Sequence, residues 1–121
     1  MRVYCIRVPS PLPHIEIDVS PWVSLHREYV VASVLATPGS RVQLQLVTDD
    51  GASLGWFDAD HFMTVDNNIP ATWAARVTEN GVLELAPEAW LRDGFWEAFY
   101  DGDELARHQV DSELEILKKG Q

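Results

Sequence analysis

From residue 28 to residue 68 the chain alternates short apolar runs with turn residues, and this rhythm leaves few folds open. Residues 29–36 are apolar and β-branched, and Pro38-Gly39 supplies a turn. Val42, Leu44 and Leu46 then alternate with Arg41, Gln43 and Gln45, which puts one face in a core and the other in water. Asp49-Asp50-Gly51 is a second turn, residues 54–57 a short strand, and Asp58-Ala59-Asp60-His61 a third turn. Residues 62–65 form another strand, stopped by Asp66-Asn67-Asn68. Several short strands so closely punctuated predict a small barrel or a strongly bent antiparallel sheet.

The flanks add to that sheet at both ends. Residues 2–8 are apolar on both faces, which predicts a well-covered strand. Pro9, Pro11 and Pro13 make a stiff connector to a half-buried strand at 15–19, closed by Pro21-Trp22. Trp73, Ala75 and Val77 recur every second residue, and Asn80-Gly81 predicts a type I′ hairpin returning through residues 82–85. The period then changes. Pro87 fits the first turn of a helix running through Trp90, Gly94 interrupts it, and residues 95–100 form a second helical turn. Asp103 is the expected N-cap of a last helix at 104–118, with acids early and Lys118-Lys119 late. Leu105, Val110, Leu114 and Leu117 are its expected apolar stripe. The fold class is therefore α+β and β-rich: a small barrel or bent antiparallel sheet with an added hairpin and C-terminal helices packed on it. A single domain over 1–121 is expected, with N-terminal strands and connector at 1–27, barrel and hairpin at 28–85 and a helical segment at 86–119.

The words YVVASVLATPG, VQLQLVTDDG, LGWFDADHFMTVD and IPATW, followed by GFWEAFYDGD, carry a resemblance. They are similar to small uncharacterised bacterial proteins in which an SH3-like barrel precedes a C-terminal helical tail. The resemblance covers most of the chain beyond Glu28 and leaves residues 1–22 outside it. It brings no catalytic residue. Some compact acidic proteins of this kind are immunity partners of bacterial toxins, so the resemblance implies a toxin-neutralising context.

Charge and reactive residues exclude more than they assign. Nine Lys+Arg against nineteen Asp+Glu give a net charge of −10, which argues against nucleic-acid and anionic-membrane binding, since phosphate contacts need clustered cations. No long apolar run predicts a membrane span, and the first strand-like octet is too short for a signal peptide, so a cytoplasmic location is expected. Cys5 is the single cysteine; it excludes an internal disulfide and is expected to be a buried, inert thiol. Asp58, Asp60 and His61 are the best local metal candidates, but a turn with a solvated histidine accounts for them, and no metal or cofactor is assigned. His14, His26 and His108 lie in different elements. Ser33, Ser40 and Ser53 have no nucleophile-elbow context, and no phosphate loop or dinucleotide fingerprint occurs. A non-enzymatic protein is expected.

Residues 87–103 remain the least generic stretch, crowding Trp90, Phe95, Trp96, Phe99 and Tyr100 among acids. Between Asp93 and Glu115 there are eight acids and, as a full cation, only Arg107. A helix from 93 to 101 would align Asp93, Glu97 and Asp101 on one stripe, a mildly repulsive spacing. It would also pair Phe95 with Phe99 and Trp96 with Tyr100, of which one pair can face the sheet. Packing of all four rings on the sheet is the plain alternative. The sharper expectation is a partner-binding edge made by Asp93, Trp96, Glu97, Tyr100, Asp101 and Asp103, with aromatic anchors in an acidic rim that attracts a basic protein. A second expectation is a small-molecule binder or weak hydrolase, its site lined by Trp56, Trp73 and Trp90 between barrel and helices. A homodimer packing its exposed rings together is a third.

Overall fold

The structure, a computed structural model, describes residues 1–9, 17 and 20–119. Seven strands are present among them, all paired antiparallel: β1 (Arg2–Cys5), β2 (Glu28–Ala36), β3 (Gln43–Val47), β4 (Leu54–Asp58), β5 (Phe62–Asp66), β6 (Trp73–Val77) and β7 (Leu83–Pro87). A 3₁₀ turn, Ala59–His61, joins β4 to β5, and another, Glu88–Leu91, follows β7. Two helices close the described chain, α1 (Phe95–Tyr100) and α2 (Glu104–Lys119). The fold is α+β, with a bent, open sheet. The expected strand at 15–19 and the rest of the proline connector lie, apart from Pro9 and Ile17, outside the described residues.

The nine residues of β2 are the spine of the sheet. β3 takes one edge, from Val31↔Leu46 to Leu35↔Gln43. β1 and β7 share the other edge in succession, β1 opposite residues 28–30 and β7 opposite residues 34–36. The β2–β3 register slips between Val31 and Ser33; an extra residue there bends the strand and lets its two halves serve different neighbours. The path β4-β3-β2-β1-β5 then curls, because β1 also pairs with β5 while the Ala59–His61 turn returns the chain directly from β4. No ladder joins β4 to β5 among the described residues, so the curl stays open.

Alternation along these strands makes two cores. The concave side collects Val3, Cys5, Val31, Leu44, Leu46 and Phe62, with Tyr29 and Phe57 at its edge. The convex side takes Ala32, Val47 and Ala86, covered by Trp90, Phe95 and the buried stripe of α2. That stripe is Ala106, Val110, Leu114 and Leu117. Leu105, expected there, is 66% exposed, because the four-residue step back from Val110 falls on Ala106. Two turns and one strand also differ in detail from expectation. Pro87 ends β7 and precedes the 3₁₀ turn, in extended geometry at ψ 135, instead of opening a helix. Residues 2–8 keep strand pairing only as far as Cys5. At the β6–β7 hairpin Gly81 alone is left-handed (φ 79) and its N–H closes on the Thr78 carbonyl at 2.9 Å, so Asn80 does not take the positive φ of a type I′ turn. Among the described residues no helix is long and apolar enough to cross a membrane.

Candidate functional site

The acidic aromatic segment becomes a short helix because Gly94 stands before it at φ 81, a backbone conformation that side chains resist. Asp93 is thus cut off from the helix, Asp101 is its C-terminal cap, and Glu97 alone lies within it. The expected repulsive stripe of three acids does not form. Asp93 is fully solvated and accepts from Arg76 Nη1 at 3.3 Å. Gly102 N–H closes on the Phe99 carbonyl at 3.1 Å and Asp103 N–H on that of Ala98 at 2.9 Å, turning the chain directly into α2. Asp103 Oδ2 accepts from Ala106 N–H at 2.9 Å, so this residue is the expected N-cap.

The rings of α1 divide by depth. Phe95 is buried, Trp96 and Phe99 are half-buried, and Tyr100 is 74% exposed. Trp96 is their hub. It meets Trp90, Phe95 and Phe99 edge to face at centroid separations of 5.4, 5.2 and 5.3 Å, and Tyr100 at 6.0 Å with a 34° tilt. Arg107 of α2 lies over the Phe99 ring at 5.3 Å. The Trp96–Tyr100 pair is in ring contact but does not face the sheet as a unit: Phe95 and Trp96 anchor the helix, Phe99 sits under Arg107, and Tyr100 extends from Trp96 into solvent. Around it Glu97, Asp101 and Asp103 are all exposed. Of the six residues expected at a partner-binding edge, Asp93, Glu97, Tyr100, Asp101 and Asp103 are exposed and Trp96 is half-buried; Trp96 also anchors the ring cluster, Asp93 pairs with Arg76 and Asp103 caps α2.

Of Trp56, Trp73 and Trp90, expected to line one site, Trp56 and Trp90 share a cleft and Trp73 does not line it. Trp73 packs between the two cores, whereas Trp56, Trp90 and Trp96 bound a cleft of about 140 Å³ between the convex face and the segment after β7. Trp96 had been assigned only to the docking edge, and a sequence carries no signal that β4 and α1 meet. Beneath the cleft Ser33 Oγ donates to Gln45 Oε1 at 2.6 Å, a buried polar pair on neighbouring strands. At its rim Arg76 Nε donates to Glu84 Oε2 at 2.8 Å, and Arg76 Nη1 also donates to the Leu91 carbonyl.

Asp58, Asp60 and His61 do converge, with one ligand-capable atom from each inside a 4.8 Å group. Asp60 is held there by Arg41 and, at 3.4 Å, by Arg7, while Asp58 Oδ1 accepts from Gln43 Nε2 at 3.4 Å, so two guanidinium groups stand beside the cluster, both on Asp60. Through Asp60 the cluster is a cross-tie among the N-terminal segment, the loop before β3 and the 3₁₀ turn. His26 sits against Tyr4, its Nδ1 2.8 Å from the phenol oxygen, and His108 lies on exposed α2, so neither joins His61. Cys5 is fully buried, and burial pushes its thiol above the ordinary range, which leaves it a weak nucleophile. Compared with known proteins, the chain matches no family model, no curated protein and no solved structure.

Proposed function

We propose that this is a non-enzymatic interaction protein that binds a basic protein partner through the acidic, aromatic face of α1. The observation that carries the reading is Tyr100: a large ring held three-quarters in water, stacked beside half-buried Trp96 and bordered by Glu97 and Asp101. A ring left exposed at that cost, backed by a rigid aromatic cluster, is the form of a binding anchor. The surrounding carboxylates would speed encounter with a cationic surface, and the rate would fall with salt.

The strand succession, with a 3₁₀ turn between β4 and β5 and β1 paired to both β2 and β5, supports reading the sheet as SH3-like. With the resemblance drawn above and the net charge of −10, it supports a more specific form of the proposal: a cytoplasmic, toxin-neutralising immunity protein. The test uses the tagged full chain, its Glu97→Lys/Asp101→Lys double variant and its Tyr100→Ala variant in parallel pull-downs at low and high salt. A cationic partner retained by the wild type at low salt, and lost from both variants, supports the reading. Retention indifferent to salt and to charge reversal overturns it.

A further inference from the structure

β4 is an end strand of the sheet: it pairs with β3 along one edge and, among the described residues, with nothing along the other. The hydrogen bonds that flank the β3–β4 ladder fix which way its backbone groups point. Thr48 N–H donates to the Ser53 carbonyl at 3.0 Å at one end, and Ala59 N–H donates to the Val42 carbonyl at 2.8 Å at the other. Bonded residues alternate along an antiparallel ladder, so Gly55 and Phe57 also turn inward to β3. Leu54, Trp56 and Asp58 therefore turn their N–H groups to the free edge, and Leu54 and Trp56 their carbonyls too.

A groove of about 460 Å³ is lined by all five residues of β4. Trp22 and Trp56 give it two half-exposed indoles, and Trp22 is fixed there by its carbonyl, which accepts from Asp49 N–H at 2.7 Å. Outward donors and acceptors two residues apart are complemented by one kind of ligand backbone, another extended chain. β4 also lacks the devices that guard a sheet edge: it carries no lysine, no proline and no bulge, and its one charge, Asp58, stands at its end. Charge then selects among extended chains. No lysine or arginine lines the groove among the described residues. Arg7 and Arg41 both stand on Asp60, which leaves the Asp58 carboxylate without a cation among the described residues.

We infer that β4 binds an extended peptide segment of a partner protein by strand addition. The segment's backbone bonds to Leu54, Trp56 and Asp58, with an apolar side chain against Trp56 and a lysine or arginine at Asp58. This site does not rest on the reading of α1, none of whose acids lines the groove.

The probe is acetyl-Lys-Thr-Val-Thr-Lys-amide, which reads the same in both directions and so sets a lysine at Asp58 whichever way it runs. Its control is the same peptide N-methylated at the three central residues, with side chains and charge kept and strand pairing blocked. Amide hydrogen exchange of the ¹⁵N-labelled full chain is read residue by residue. In the free chain Gly55 and Phe57 are expected to exchange slowly, and Leu54, Trp56 and Asp58 fast. The probe is expected to slow these three several-fold, saturably, and the control to leave them unchanged.

Two variants separate the backbone donor from the charge. Asp58 has φ −65 and ψ 133, a geometry proline adopts, and its N–H is one of the outward three, so Asp58→Pro deletes a donor without touching the β3 ladder. Slow exchange at Gly55 and Phe57 in that variant reads the ladder as intact. Asp58→Asn keeps the N–H and removes only the charge. Binding of the probe is expected to weaken several-fold in Asp58→Asn and further in Asp58→Pro. Slow exchange at Leu54, Trp56 and Asp58 in the free chain overturns the inference, since a second copy or another part of the chain would then already cover the edge. Equal effects of the two peptides, no effect of the probe at millimolar concentration, or equal binding by the two variants also overturns it.

Discussion

The Tyr29 hydroxyl donates to Asp49 Oδ1 at 2.6 Å, joining the start of β2 to the turn after β3 across the edge of the concave core. The same oxygen accepts from Ser24 N–H at 2.6 Å, Ser24 Oγ donates to Asp49 Oδ2 at 2.7 Å, and Arg27 approaches Asp49 at 3.2 Å. Asp49 N–H reaches the Trp22 carbonyl at 2.7 Å. The loop before β2 is therefore fastened to the β3–β4 turn through one phenol and one carboxylate.

Tyr29→Phe removes the central member of this network and leaves both Ser24 N–H and Asp49 short of a partner. A loss of about 1–3 kcal/mol is expected, read as a lower urea midpoint at unchanged slope. The variant also changes the alkaline limb of stability. Burial, followed by the hydrogen bond to Asp49, pushes the Tyr29 phenol from 10.0 up to about 12. The folded state thus keeps a proton that the unfolded chain gives up near pH 10, so this contribution is complete below about pH 10 and is lost as pH rises towards about 12. The wild-type urea midpoint should fall across that window, and Tyr29→Phe should fall less.

Asp50, next in the chain, acts at the opposite end of the scale. Its carboxylate accepts from Ser53 Oγ at 2.6 Å and from the Ala52 and Ser53 N–H groups, each at 2.8 Å, and these bonds, that of the Ser53 hydroxyl first, hold it far below the usual carboxylate range. A depressed acid stabilises the fold above its unfolded value of 3.8, and that stabilisation is lost as pH falls through the folded value. Asp50→Asn should flatten the acid limb of the stability profile below about pH 4 and leave the alkaline limb unchanged.

Gly55 is the one glycine of the sheet pressed by a neighbour. A Cβ built there would stand 2.9 Å from Phe57 Cε2 and 3.3 Å from Thr48 Cγ2. Phe57 and Thr48 are both buried, so neither yields easily. Gly55→Ala should cost about 1–3 kcal/mol by overpacking, seen in the urea midpoint, whereas the open surroundings of Gly39 carry no such clash.

Asp103 has two tasks that separate by substitution. Asp103→Ala deletes the N-cap of α2 and should cost about 1 kcal/mol, while Asp103→Ser keeps a capping oxygen and should cost much less. Both remove the same charge from the proposed docking face. Equal loss of partner binding in the two variants, with unequal thermal midpoints, would assign Asp103 to binding as well as to the helix.

Local chemistry was legible and its long-range consequences were not. The turns at Pro38-Gly39 and Asp49-Asp50-Gly51, the Gly94 break and the Asp103 cap could all be read from the residues, because each depends on a neighbour within four positions. Exposure of Tyr100 was an open alternative, since Phe95 and Tyr100 carry equally large rings; packing against Trp90 and α2 decides which is covered. Asp49 read as a turn residue and proved to be half of a tertiary tie to Tyr29, twenty positions away. The Trp56–Trp96 cleft was equally hidden, as it needs two elements forty residues apart to share one face.

Ser33 and Gln45 offer the last separable test. Both are buried on the convex face, paired across β2 and β3, and the Ser33 hydroxyl satisfies the Gln45 carbonyl oxygen. Ser33→Ala leaves that oxygen without its donor in a site water reaches poorly, and should cost about 1–3 kcal/mol. Gln45→Met keeps the length of the side chain and removes the acceptor, leaving the Ser33 hydroxyl as the orphan. The double variant has neither orphan, so it should be less destabilised than the sum of the two singles. A favourable coupling of about 0.5–3 kcal/mol in urea unfolding of the four proteins is the expected result. Strict additivity would mean that the pair contributes shape alone to the floor of the cleft.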